Sequence, residues 1–343
     1  HLNQGKVLMK DVAPGVSFKA NQIDVDVRNF SLSDPFAVTA KLAYLADTQN
    51  IVFDGTAAYN MQAQEVRLKD SKLVVDLAKL NFQELKSSVA AVKDVPLPEI
   101  LAGDLNLSVK DLSAGAKGLK SIAMDADLKN GAVNFKNIAP GISLAVSQIG
   151  LELKNVSLGQ PITFHLNAAY LNTSPNIDVA GTAILDLAQQ SVQFKDTKLK
   201  TDLSSFSMDE LRASMVSLKD VPLPQSLKGQ VDVVLEEVTA GAKGLVSLTS
   251  HGDLTQGSIK LKELAVPIDV NQAQFKTAGT NADVDDFSIS IGKGAIKGKL
   301  SVDEFLTKQS FNAEAVVDGI DLAEVVEQKD APVKVEGKVF ANI

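Results

Sequence analysis

Three histidines, two adjacent acidic pairs and a few glycine-lysine turns are where residue type and spacing invite a chemical reading. His1, His165 and His251 are isolated, and none has another histidine or a Ser or Thr nucleophile motif at a recognised catalytic spacing. His165 alternates with Thr163 and Asn167 and reads as a solvated strand residue. Glu236-Glu237 and Asp285-Asp286 offer neighbouring carboxylates of the kind used for acid-base work, but solvated strand edges explain them more simply. Gly292-Lys293-Gly294 and the A-G-A-K-G-L stretches at Ala114 to Leu119 and Ala240 to Leu245 lack the G-K-[ST] ending of a phosphate loop, so they are expected to be turns. No calcium loop is legible, and without cysteine there is no thiolate nucleophile or thiolate metal site. The expectation is a protein with no catalytic residues, no metal site and no nucleotide site.

Composition narrows the partners. The net charge is −8 and Lys and Arg are dispersed, so no basic stripe is available to neutralise a phosphate backbone, and nucleic acid is not expected as a partner. An apolar share of 45% and a charged share of 22% are those of a chain that folds. The absence of cysteine fits a reducing cytosol or a cell-envelope protein equally. There is no run of about 18 apolar residues to span a bilayer as a helix. The start at His1 and the stop at Ile343 within an alternating pattern read as an excised fragment, from which a signal or anchor segment has been cut.

Internal repetition is the strongest signal. K-D-V-P-L-P at Lys93 to Pro98 recurs at Lys219 to Pro224, a shift of 126 residues. Without a gap, the same shift maps Ala13-Pro14-Gly15 onto Ala139-Pro140-Gly141, Ala43-Tyr44-Leu45 onto Ala169-Tyr170-Leu171, and Gly55-Thr56-Ala57 onto Gly181-Thr182-Ala183. A third, degenerate and shorter copy is read from Leu264-Ala265 and from Lys329-Asp330-Ala331-Pro332. The repeats are therefore expected at 1–135, 136–261 and 262–343.

Within a copy the period is two. Ile23, Val25 and Val27 alternate with Gln22, Asp24, Asp26 and Arg28, and the second copy answers with Ile149, Leu151 and Leu153. Phe36, Val38, Ala40, Leu42 and Tyr44 are matched by Ile162, Phe164, Leu166, Ala168 and Tyr170. This is the pattern of an antiparallel meander with one apolar face. One short helix per copy is expected before the proline-rich loop. Ser207-x-x-Glu210 reads as a capping box ahead of Met208, Leu211, Met215 and Leu218; the first copy has Asn81, Phe82, Glu84, Leu85, Val89 and Val92, and the third has Asp321-x-x-Glu324 before Val325. Asn130-Gly131 reads as a type I′ hairpin turn between Met124 to Leu128 and Val133 to Phe135, with Gln256-Gly257 in the same place one copy on. A hairpin where a linker would lie predicts one continuous sheet rather than independent domains.

Seven strands of about ten residues present roughly 1,000 Å² of apolar face per copy. A helix of about 11 residues covers only about a fifth of it. Two readings stay open: a sheet curled into an elongated groove whose apolar inside is filled by lipid chains, or tandem dry β-sandwich domains serving a structural or adhesive role in the envelope. A transmembrane barrel is set aside because aromatics are only 5% and tryptophan is absent, which leaves no interfacial girdles.

The long alternating strands, the helix, the proline-bearing loop and then Gly103-Asp104-Leu105-Asn106-Leu107-Ser108-Val109 together resemble the bacterial AsmA family. Gly319-Ile320-Asp321-Leu322-Ala323-Glu324-Val325-Val326, followed by Glu336-Gly337-Lys338-Val339, is similar to that family's C-terminal segments. The resemblance implies a periplasmic protein of the cell envelope, tethered to the inner membrane by an N-terminal segment, which carries phospholipids towards the outer membrane along a β-groove. It implies phospholipids and the inner and outer membranes, or their protein components, as partners, and no cofactor other than bound phospholipid or fatty acyl chains. Lipid contacts are then expected from the one-sided strands: Ile23, Val25, Val27, Val38, Leu42, Tyr44, Ile149, Leu151, Leu153, Phe164, Leu166, Tyr170, Phe287 and Ile289.

Overall fold

The computed structural model describes residues 1–343 apart from 14–15, 89–92, 94–96, 116–117, 140, 187–190, 220, 242–243, 305–309, 326–336 and 343, and apart from the side chains of 10–13, 16, 137–139, 244 and 342. It is 72% strand, so the protein is mainly β, and its strands belong to an antiparallel sheet of eighteen that is not closed into a barrel. Two compact units are present, 1–168 and 169–343.

In the first unit the strands are β1 (Leu2–Ala13), β2 (Val16–Arg28), β3 (Phe36–Tyr44), β4 (Ile51–Asn60), β5 (Glu65–Asp76), β6 (Ile100–Gly115), β7 (Gly118–Ala139), β8 (Ile142–Ser157) and the start of β9 (Ile162–Tyr170). From β1 to β8 each is paired antiparallel with the next in sequence. The second unit runs β10 (Ile177–Asp186), β11 (Ser191–Asp202), β12 (Ser226–Gly241), β13 (Gly244–Lys260), β14 (Ile268–Ala278), β15 (Asn281–Ile291), β16 (Gly294–Asp303), β17 (Ser310–Asp321) and β18 (Lys338–Asn342), again with each strand paired to the next. The bounds of β3 to β6 recur in β9 to β12 with a displacement of 126 residues.

Asn130-Gly131 does not turn the chain. It lies inside β7, a single strand of 22 residues, and Gln256-Gly257 lies inside β13. Asn130 and Gln256 hold φ of 53° and 51°, and the pairing slips beside each. Both are β-bulges, whose left-handed residue and glycine mimic the composition of a type I′ turn. The glycine is needed for close approach, since a Cβ on Gly131 would lie 2.8 Å from the Cβ and carbonyl oxygen of Ile149. The expected hairpin is thus corrected to a bulge, and β7 runs unbroken through 135/136.

The described α-helices are α1 (Phe82–Ser88), α2 (Met208–Ser214) and α3 (Leu322–Val325), and α2 ends sooner than the spacing implies. Ser207 caps α2 by accepting from the Glu210 N–H at 3.2 Å, while Asn81 caps α1 by accepting from the N–H groups of Gln83 and Glu84. Met215, expected within the helix, is extended at φ −132°, and Leu218 closes a 3-10 turn. The Ser214 hydroxyl donates to the Leu211 carbonyl at 2.8 Å, and Ser87 does the same to Glu84 in α1. These bonds to the preceding turn compete with helix propagation. Val89, Val92, Asp94 to Pro96, Asp220, Val326, Glu336 and the Lys329 to Pro332 segment lie outside the described residues, as do Pro14, Gly15 and Pro140.

Paired small residues let two strands close up. A Cβ on Gly55 would lie 2.0 Å from Ser71 Oγ, and one on Gly181 would lie 2.2 Å from Thr197 Oγ1. Ser71 and Thr197 are the largest fully buried side chains among the described residues. Each follows a bulge, at Asp70 (φ 44°) or Asp196 (φ 48°), and each donates its hydroxyl to the carbonyl two residues back, Lys69 or Lys195. Gly55→Ala is therefore expected to destabilise the fold by roughly 1–3 kcal/mol, with Ser71→Gly in the same chain restoring part of the loss. Urea unfolding of the double-mutant cycle checks this, and additive effects would show that the two positions do not meet.

Candidate functional site

One apolar face is assembled strand by strand, and the bulges keep it in phase. In β2 the apolar residues are Phe18 and Ala20, then Ile23, Val25 and Val27. The step from 20 to 23 would send the second group to the opposite face of a regular strand. Gln22, at φ 48°, absorbs the extra residue, and the pairing slips between Asn21 and Asp24. In β8, Gln148 (φ 48°) and Asn155 (φ 60°) absorb the steps from Val146 to Ile149 and from Leu153 to Val156 in the same way.

Cross-strand partners then form rows on this face. In the first unit Leu2, Val25, Ala40, Phe53, Leu73, Leu107, Ala126 and Leu153 are successive partners from β1 to β8. Beside them run Leu42, Ile51, Val75, Leu105, Leu128 and Leu151. At about 4.8 Å per strand, the eight-residue row extends for about 34 Å. In the second unit Val179, Leu199, Val233, Gly252, Phe275, Val284, Leu300 and Ala313 form the corresponding row from β10 to β17.

The structure places Val25 and Leu153 in one row and Leu42 and Leu151 in the next, while Ile23 and Ile149, Val27 and Val38, and Tyr44 continue the same face. Phe287 and Ile289 pair with Ala273 and Val270 on the face of the second unit. In β9, Phe164, Leu166 and Tyr170 alternate with exposed Thr163 and His165. Of the fourteen expected residues, Ile23 is buried, Val27 is 38% exposed and the other twelve are half-buried. These side chains therefore neither face open water fully nor enter a closed core. Phe53, Leu73, Leu199 and Phe275 also lie on this face without having been expected there; in β5 and β11 the period-two alternation that carries Leu73 and Leu199 is interrupted by the phase slips at Asp70 and Asp196.

The equivalent tyrosines, 126 residues apart, each meet a phenylalanine, though at non-equivalent positions. Phe18 stacks on Tyr44 at 5.0 Å, and Tyr170 meets Phe206, just before α2, edge-on at 6.2 Å. Buried Asn50 holds the backbone at Tyr44 from both sides, accepting from its N–H and donating to its carbonyl; Asn176 does the same for Tyr170. The next residue, Leu45 or Leu171, takes φ of 51° and accepts from the backbone N–H of the helix cap, Asn81 or Ser207. The asparagine clamp has a sequence signal, since it recurs after 126 residues in an otherwise divergent loop.

On the polar face the acidic pairs are divided among different neighbours. Glu236 is 3.0 Å from His251 Nδ1 while Glu237 accepts from Gln193, and Asp285 takes the Lys276 ammonium at 2.7 Å. No group of three or more potential metal ligands converges among the described residues. Gly292 and Lys293 form the turn between β15 and β16. Carboxylates there also lock bulges: Asp24 accepts from the Gln4 N–H and Asp125 from the Asn155 N–H, both at 2.9 Å. These amides would otherwise lack a ladder partner. The Gln4 N–H, with the Gln49 amide, holds the Asp24 carboxyl below its usual range; the Lys110 ammonium and then the Asn155 N–H do so for Asp125.

No protein-family model, curated protein or solved structure matches this chain.

A carboxyl whose pKa is depressed on folding contributes stability above its unfolded value, about 3.9 for Asp, and loses it as pH falls through the lower folded value. The urea midpoint is accordingly expected to drop as pH falls below about 4, and the Asp24→Asn, Asp125→Asn double variant to show a shallower drop. Equal slopes in wild type and variant would show that these locks do not couple to folding.

Proposed function

We propose that this chain is a non-enzymatic lipid-carrying protein of the AsmA type, which holds phospholipid acyl chains along its apolar face and passes them between the inner and outer membranes of the bacterial envelope. In this reading the protein is periplasmic and tethered to the inner membrane, and its sheet is built from three repeats of about 126 residues, the last shortened, each with one short helix and curled into a groove. Phospholipid is the cargo, and no other cofactor is required.

One observation carries the proposal: the described residues do not close the apolar face. The largest fully buried side chains among the described residues are a threonine and a serine, whereas Leu2, Val7, Met9, Tyr59, Val66, Leu119, Leu185 and Leu245 are all more than a third exposed. A dry sandwich core buries Leu, Ile and Phe almost completely. Apolar surface of this extent on a folded chain needs a cover of matching chemistry, and acyl chains supply one without polar groups to satisfy. The seven-residue α2, which ends among the described residues, is too short to supply it.

Leu151 ends its row on β8, so Leu151→Arg tests the reading. With the face open, the arginine head reaches water along the strand and the fold survives, while the path for acyl chains is interrupted. Folded protein with several-fold less co-purifying phospholipid, read by lipid extraction and mass spectrometry, is the expected result. Collapse of the fold would point instead to a dry core, where an unpaired buried charge costs roughly 3 kcal/mol or more. Intact fold with unchanged lipid content would remove this face from transport.

A further inference from the structure

Leu223-Pro224, the end of the recurring K-D-V-P-L-P motif, forms one wall of a cavity in the second unit. The cavity lies between α2, with the turn that precedes it, and the start of β12. Its volume of about 480 Å³ is within the range of small-molecule sites. Met208, Leu223 and Leu227 supply apolar lining, and Ser226, Asp209 and Arg212 supply polar groups. Both walls are tied to the sheet. The Gln225 N–H donates to the Lys260 carbonyl of β13 at 2.7 Å, and the Ser204 hydroxyl accepts from the Gly229 N–H of β12 at 3.4 Å. Asp202 caps the turn at Leu203–Ser205 by accepting from the Ser204 N–H at 2.9 Å. The cavity is thus fixed by the fold of this unit.

Leu227 also opens an apolar row. Its successive partners are Ile259, Ile268 and Ile291, from β13 to β15, so the cavity wall continues into a run of apolar side chains. Two opposite charges stand at the cavity's edge. Arg212 Nη1 is 3.9 Å from Asp209 Oδ1, with the two side chains 40% and 99% exposed. At that distance and exposure the pair adds little to the fold, and each charge is open to another partner. In the first copy the cation is kept as Lys86, while Gln83 stands in the place of Asp209. The signs also suit the first and last turns of α2. That role alone requires neither a cavity between them and the sheet nor an apolar row leading away from it.

We propose that this cavity is a headgroup subsite for a zwitterionic phospholipid, one that carries a primary ammonium beside its phosphate. The phosphate pairs with the Arg212 guanidinium, whose planar fork suits its oxygens. The ammonium pairs with the Asp209 carboxylate, and an acyl chain leaves across Leu227 along the row from Ile259 to Ile291. An anionic headgroup without an ammonium satisfies Arg212 alone and faces Asp209 as a like charge. The assignment rests on the lipid-carrying reading and adds headgroup selectivity to it.

The chain has no cysteine, so Ser226→Cys places a single thiol in the cavity wall. In protein stripped of lipid, its rate of modification by a charged maleimide reports whether the cavity is filled. Dihexanoylphosphatidylethanolamine, below its micellar concentration, is expected to protect the thiol at about threefold lower concentration than dihexanoylphosphatidylglycerol. Free phosphoethanolamine, with no chain for the apolar row, should protect far less well than the lipid. Asp209→Asn should abolish the preference between the two lipids. Arg212→Gln should raise the concentration needed of both about tenfold, and Arg212→Lys should recover part of the loss. Substitutions that shift thermal unfolding and leave protection unchanged would reduce both charges to helix stabilisers. Protection by neither lipid, or equal protection by free phosphoethanolamine, would likewise overturn the subsite. Mass spectrometry of lipid extracted from the same protein before stripping separates the two failures. Lipid present beside an unprotected thiol overturns the subsite and leaves the carrying reading standing, whereas its absence removes both.

Discussion

An antiparallel ladder that must keep its apolar side chains on one face, over strands as long as 22 residues, is the constraint on which the rest of this structure depends. Side chains alternate with a period of two, so a single inserted residue would turn the remainder of a strand over. This chain contains many such insertions. It accommodates them with single left-handed residues at Gln4, Gln22, Asp70, Asn130, Gln148, Asn155, Asp196 and Gln256. Mostly Asn, Asp and Gln, they have side chains that suit a polar outer face. Asp and Asn tolerate positive φ better than most residues, though Gln has no such advantage and its place here is set by the tertiary ladder.

Close strand packing at the bulges is made possible by small residues. Gly55 faces Ser71 and Gly181 faces Thr197, so the face is nearly flat where a larger pair would separate the strands. The hydroxyls are not left unsatisfied, because each returns a hydrogen bond to a carbonyl of the bulge beside it. Among the described residues the largest fully buried side chains are thus two polar ones that shape the backbone, while most large apolar side chains are half-covered and a few, such as Ile162, Leu45 and Leu171, are buried.

The helical turns α1 and α2 are pinned to the sheet by backbone hydrogen bonds. Asn50 and Asn176 fix the chain at Tyr44 and Tyr170, and the strained Leu45 and Leu171 offer their carbonyls to the caps of α1 and α2. Strain at a left-handed leucine costs on the order of 1–3 kcal/mol; the two asparagine bonds and the cap bond hold it in place. The helix is therefore registered to the sheet through main-chain hydrogen bonds at one point, with aromatic packing from Phe206 on Tyr170 in the second copy.

By itself the sequence determined the β class, the 126-residue repetition and part of the apolar face, because each is a pattern of residue types along the chain. Val25, Leu42, Leu151 and Phe287 were legible as one-sided strand residues, since alternation survives between bulges. Where the phase slips, legibility ended. Asn130-Gly131 has the same composition whether the chain reverses or a strand bulges, and only the presence of β6 and β8 on either side of β7 decides between them. The end of α2 was likewise decided by Ser214 bonding to the Leu211 carbonyl, a choice that helical spacing at Met215 and Leu218 cannot express. Which residues share a row was settled by register alone. A row such as Val25, Phe53, Leu73 and Leu153 draws on strands more than a hundred residues apart, and local sequence carries no information about which carbonyl each amide will meet.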